Sequence, residues 1–102
     1  MLNQVFIVGR IVDTPQNNTI TLAVQRSYKN VEGVYETDFI PVKVFGNLLE
    51  QAQEYLQKGD IVGVKGKIES LNSMPQIVAE KLTFLSSHKS QENNDDINKG
   101  EI

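Results

Sequence analysis

Only one stretch of this chain has helical periodicity, and it stands among five stretches patterned like strands. Leu48, Leu49, Ala52, Tyr55 and Leu56 form an apolar stripe at helical spacing. Asn47 and Glu50 have the spacing of a capping box, Lys58 falls in the expected last turn, and Gly59 supplies a left-handed stop. Three strand-like segments precede it: Leu2–Asp13, Ile20–Ser27 and Thr37–Phe45. Two follow, Ile61–Ile68 and Gln76–Leu85, the last bounded upstream by Pro75. Few small folds use the order strand, strand, strand, helix, strand, strand. It predicts an all-β fold: the five-stranded Greek-key barrel called the OB-fold, with one α-helix between strands 3 and 4 plugging one end. Gly9, Gly63 and Gly66 fall inside strands, where a tightly coiled barrel needs relief.

Alternation then assigns faces. Ile20, Leu22 and Val24 share one face of the second strand, and Ile40, Val42 and Val44 share one face of the third. With those inward, Phe39, Pro41, Lys43 and Phe45 point outward. Val62, Val64 and Ile68 likewise leave Lys65 and Lys67 on the other face, so parity predicts Lys43, Lys65 and Lys67 together. The first strand has no polar face, because Val5, Ile7 and Ile11 alternate with Phe6, Val8 and Val12. A second copy of the chain is the simplest cover for the face the core does not use, so a homo-oligomer is expected.

A length of 102 residues suits a single domain. Residues 1–85 carry the patterned segments. Residues 86–102 hold only Ile97 and Ile102 as large apolar groups and read as a flexible acidic tail. The absence of Cys excludes disulfides, Cys-type zinc sites and thiol catalysis. The one His, His88, falls in the tail, and Asp95-Asp96 reads there as solvated charge. Gly63 and Gly66 lie in a strand with no following helix, which is not a phosphate loop. No catalytic pair, metal site or cofactor site emerges, and a binding protein rather than an enzyme is expected. No apolar run approaches the roughly 20 residues that cross a bilayer, and Met1–Gln4 lack a basic leader, so the expected location is cytoplasmic.

The net charge of −3 argues at first against a nucleic-acid partner. It divides unevenly, however: residues 1–85 hold 8 basic and 9 acidic residues, and the tail holds 2 and 4. Exposed aromatics interleaved with cations are what binding to a single nucleic-acid strand requires, since bases stack on rings and cations track phosphates. Phe39, Lys43 and Phe45 meet that requirement on the third strand. Arg26, Tyr28 and Lys29 lead into a turn-like Asn30–Gly33 and then Tyr35, a hairpin arm. Tyr28 shares its register with Ile20 and Leu22, so it reaches the groove only through a bulge or a bend. The expected site has Tyr28, Phe39 and Phe45 stacking, with Tyr35 a lesser candidate, and Arg10, Arg26, Lys29, Lys43, Lys65 and Lys67 on phosphates.

Four motifs in series carry a family resemblance. Leu2–Arg10, Ile20–Val24, Thr37–Gly46 followed by Ala52–Gly59, and Val78–Leu85 resemble, in order, segments of bacterial-type single-stranded DNA-binding proteins, the SSB family. The resemblance implies an OB-fold that assembles, usually as a homotetramer through first-strand pairing, and wraps single-stranded DNA in replication, recombination or repair. It also implies a nucleoid-associated location. Tyr28 looks like the family's aromatic at the end of the second strand, and Phe39 and Phe45 look like the two of the third. Three departures stand out. The connection Glu69–Pro75 is short where the family has a long basic hairpin with another stacking aromatic. The first loop, Asp13–Thr19, is short too. The end of the chain, past Asp95-Asp96-Ile97, lacks the terminal aromatic that recruits partner proteins. An OB module of the primosomal accessory kind, acting mainly through protein–protein contacts, is the alternative reading.

Overall fold

Five strands and one helix follow one another in the expected order in the computed structural model, which describes residues 1–86. They are β1 (Val5–Gln16), β2 (Thr19–Lys29), β3 (Tyr35–Lys43), α1 (Gly46–Tyr55), β4 (Ile61–Leu71) and β5 (Met74–Ser86). The strands close into a barrel in the order β1-β2-β3-β5-β4. All neighbours are antiparallel except β3 and β5, which run parallel and meet only at Val42↔Ile77 and Lys43↔Val78. This is the five-stranded OB-type barrel that the element order predicts. The expected tail, with His88 and Asp95-Asp96, lies outside the described residues beyond Ser86.

The alternation places the core as expected. Ile11, Ile20, Leu22, Val42, Val44 and Val62 are fully buried, and Ala52 of α1 and Leu56 just past its end join them in the core. Each such aliphatic side chain contributes about 1.5–3 kcal/mol by leaving water. Ile68 keeps the inward parity but is exposed, because β4 runs on past the barrel into a hairpin with β5.

Several boundaries differ from the sequence expectation, each for a local reason. The β4–β5 connection is not a loop over Glu69–Pro75. The ladder continues through Ser70↔Pro75 and Leu71↔Met74, leaving a two-residue turn at Asn72-Ser73. Asn17-Asn18 makes the corresponding turn between β1 and β2. All four of these residues have positive φ, between 53° and 66°. That geometry matches the right-handed twist of a hairpin, and Asn adopts it more readily than most residues. Asn47 is not the N-cap of α1. The cap is Phe45, with no side-chain hydrogen bond, and the helix starts at Gly46. The Val44 amide donates to the Asn18 carbonyl at 2.8 Å, which holds the chain extended up to Phe45, and Gly46 turns it at φ +63°. Lys58 lies beyond the helix, which stops at Tyr55, while Gly59 does take the left-handed conformation at φ +94°.

Two of the three strand glycines are required by close approach. A Cβ on Gly66 would overlap the backbone carbonyl of Val78, and one on Gly9 would stand 2.9 Å from the Ala23 carbonyl oxygen. Gly63 is different, because a Cβ there meets only ordinary contacts, the nearest at 3.7 Å.

Candidate nucleic-acid interface

The outer surface of β3, β2 and β1 is an array of three rows fixed by strand register. Phe39, Ala23 and Arg10 form the first; Pro41, Thr21 and Asp13 the second; Lys43, Thr19 and Gln16 the third. The middle column, on β2, holds short side chains. The columns on either side hold long ones at both ends, Phe39 and Lys43 on β3 and Arg10 and Gln16 on β1. The result is a trough along β2, with a ring and a guanidinium at one end and a lysine at the other. From Ala23 to Thr19 it spans about 13 Å, at the usual rise of a strand.

Phe39 is 64% exposed, so its ring stands on the surface rather than in the core. Phe45 is 49% exposed, and its extended backbone continues the outward column Phe39, Pro41, Lys43 past the end of β3. Arg10 donates through Nη1 to the Gly59 carbonyl at 2.8 Å, which fixes the guanidinium beside the trough without neutralising it. Lys43 Nζ donates to Thr19 Oγ1 at 3.0 Å across the floor. At the far end, Asp13, Gln16, Asn17, Thr19, Thr21 and Lys43 line a polar cavity of about 360 Å³.

The β2–β3 arm carries the next group. Between Gln25 and Lys29 the ladder slips: β2 advances four residues while β3 advances two, from Thr37 to Tyr35. Lys29 and Tyr35 then face each other, with Nζ 5.7 Å from the ring centre. Tyr28, 58% exposed, lies in a surface cavity with Arg26 and Glu36, outside the Phe39 row. Arg26 is held by two carboxylates. Its Nε and Nη2 donate to Asp38 at 3.0 and 2.9 Å, and its Nη1 lies 2.9 Å from Glu36. The hydrogen bond to Asp38 is the main reason the guanidinium pKa rises and the Asp38 pKa falls below its usual value. Glu36 also accepts from Asn30 Nδ2, and Asn30 Oδ1 accepts the amides of Glu32 and Val34, so one network braces the whole arm.

The remaining lysines separate. Lys67 pairs with Glu69 at 3.1 Å and Glu80 at 3.7 Å, and the hydrogen bond to Glu69 is the main reason its pKa rises. In register it is one strand from Lys43, with Val78 between them. Lys65 stands elsewhere, in a row with Phe6 and Lys81 on the outer face of β1, β4 and β5. The expectation of Lys43, Lys65 and Lys67 on one face is therefore corrected: β5 lies between Lys43 and β4, and a register shift between Lys65 and Gly66 leaves Lys65 in the Phe6–Lys81 row while Lys67 stands opposite Val78. On the Lys65 face Phe6 is 69% exposed, and Val8, Thr83 and Leu85 surround Gly63. A mainly apolar cleft of about 380 Å³ opens where β3 and β5 diverge, between Ile40, Pro41, Ile68, Met74 and Ile77. Alternation already puts Thr21 on the outer face, but sequence reading missed Asp13 in the trough, because the bulge that aims it outward leaves no mark in the residue pattern.

A five-stranded OB-type barrel with exposed rings and cations along one sheet face belongs to the class of nucleic-acid-binding modules. The chain is a member of the Single-strand binding protein family, whose model matches residues 2–85. Membership makes it a binding protein and not an enzyme. It is similar to a single-stranded DNA-binding protein 1 of Staphylococcus aureus, with 31% identity over 95% of this chain and 74% of that one. A single-stranded DNA-binding protein 2 of the same species shows 34% identity over 83% of this chain and 73% of that one. In fold it is similar to the mitochondrial single-stranded DNA binding protein of S. cerevisiae, with a TM-score of 0.67 at 20% identity over 83% and 96% of the two chains. The small single-stranded DNA-binding protein of Streptomyces coelicolor gives a TM-score of 0.61 at 23% identity over 83% and 95%.

Proposed function

We propose that the chain coats exposed single-stranded DNA during replication, recombination or repair, with broad tolerance of sequence. The observation that carries this reading is the trough, with Phe39 and Arg10 at one end and Lys43 and Phe45 at the other. Bases stack on Phe39 and Phe45, and the strand continues past Tyr28 on the arm. Arg10, Lys29 and Lys43 meet phosphates, whereas Lys65, expected among them, stands beside Phe6 on the opposite face. Arg26 and Lys67 reach a phosphate only by leaving their carboxylates, so Arg26 acts chiefly by bracing the arm that presents Tyr28. Stacking of about 1–3 kcal/mol per base is indifferent to base identity, which gives the tolerance.

The test is titration of a fluorescent dT oligonucleotide at rising salt. Binding that weakens as salt rises supports the reading, because cations that meet phosphates release counterions. A dT oligonucleotide left unbound by tens of micromolar protein at low salt overturns it and favours the accessory-protein alternative. Residues 1–85 would form the binding domain and residues 86–102 an appended tail. The Phe6, Val8 and Leu85 face would pack against a second copy, giving a dimer or homotetramer. Sedimentation as a lone 11-kDa species would refute that assembly.

A further inference from the structure

The trough contains an acceptor and a donor that stacking and phosphate contacts leave unused. Asp13 and Thr21 are direct partners across β1 and β2. In unbroken register from Ile11↔Leu22, Asp13 would stand opposite Ile20 and send its carboxylate into the barrel core. A register shift between Ile11 and Asp13 turns it outward, and a second shift before Gln16 keeps that residue opposite Thr19. Both Asp13 and Thr21 line the polar cavity of about 360 Å³. Thr19, beside them, is occupied: it accepts from Lys43 and donates to the Asn17 carbonyl at 3.2 Å. The Asp13 carboxylate and the Thr21 hydroxyl make no side-chain hydrogen bond with another described residue, and Asp13 enters no ion pair among them.

An ionised carboxylate only accepts hydrogen bonds, whereas a hydroxyl can donate. In a single strand the pairing edge of each base is open to such groups. Cytosine presents an amino donor at N4 beside an acceptor at N3, and adenine presents the same pattern at N6 and N1. Thymine has no exocyclic amino group, and its one N–H lies between two carbonyl oxygens that a carboxylate repels. Pro41, the partner of Thr21, is two residues from Phe39 along β3, about 7 Å. Asp13 lies one strand beyond Thr21, so a strand that leaves Phe39 across β2 toward Gln16 would carry a following base over Thr21 and Asp13. Building on the single-stranded DNA reading above, we propose that Asp13 and Thr21 read this base edge and favour an amino-bearing base, cytosine among the pyrimidines, over thymine.

The test compares equal-length dC and dT oligonucleotides at neutral pH and low salt. The wild type should bind dC about three- to tenfold more tightly, a fraction of what a good two-bond base contact discriminates. Asp13→Ala should bring the two affinities together without moving the melting temperature, and Thr21→Val should narrow the gap. Should Asp13→Ala fail to fold, Asp13→Asn, which offers both a donor and an acceptor, serves the same comparison. Equal affinities in the wild type, or a dC preference that survives loss of the carboxylate, overturn the proposal while leaving DNA binding intact. Asp13→Ala tightening dC and dT by the same factor overturns it too, since Asp13 would then only repel phosphates. Failure of the wild type to bind either oligonucleotide removes the DNA-binding reading itself, and this proposal with it.

Discussion

Phe39 offers its ring to solvent while its neighbours Ile40 and Val42 turn toward the barrel, so binding and stability separate at this position. Phe39→Ala should weaken dT binding by about 1–3 kcal/mol, the range of one base–aromatic stack. The melting temperature should stay close to that of the wild type, and a large drop would assign the ring to the core instead. Arg26 and Asp38 show the opposite situation. Asp38 has its pKa lowered below 3.8, first by the hydrogen bond from Arg26. A lowered folded-state pKa means that the pair's support for the arm is complete above about 3.8 and is lost as pH falls through the lowered value. An NMR titration of the Asp38 carboxyl carbon should therefore give a midpoint below 3.8, and Arg26→Ala should move it up. Phe39 was legible from sequence because strand parity needs only neighbours along the chain. The capture of Arg26 was not, since Asp38 and Glu36 come from the facing strand and their approach depends on register.

At the level of elements, glycines and bulges decide where the barrel can turn. Gly66→Ala should destabilise the fold by about 1–3 kcal/mol, because the new methyl meets the Val78 backbone rather than a movable side chain. Gly63→Ala, with room for its Cβ, should change denaturant stability by less than about 1 kcal/mol. Paired denaturation curves would check the contrast, and equal losses would refute it. All three glycines look alike in the sequence; only the crossing of strands distinguishes them. The order of elements was legible, because period-2 and period-3.6 patterns are local. The hairpin turns and the helix start were not. Asn72-Ser73 becomes a tight turn through the pairing of its flanking strands, and the start of α1 is set by the tie between Val44 and the β1–β2 turn.

For the molecule as a whole, near-neutral charge on residues 1–85 limits long-range attraction and leaves local contacts to set affinity. Arg10, Lys29, Lys43 and Lys65 enter no ion pair among the described residues. If Arg10, Lys29 and Lys43 meet phosphates, log affinity should fall against log salt with a slope of about −2, at roughly 0.7 per phosphate for single strands. A much steeper slope in the dT titration would mean that Arg26 and Lys67 give up their carboxylates on binding. The barrel is not closed equally all round. β3 and β5 meet over two residues, whereas β4 and β5 are paired along almost their whole length. The parallel seam is thus the shortest closure of the cylinder. Amide protons bonded across the seam should exchange with deuterium sooner than those between β4 and β5. The apolar cleft of Ile40, Pro41, Ile68, Met74 and Ile77 lies on this seam, so the stretch of wall least held by backbone bonds is also the one that opens to solvent.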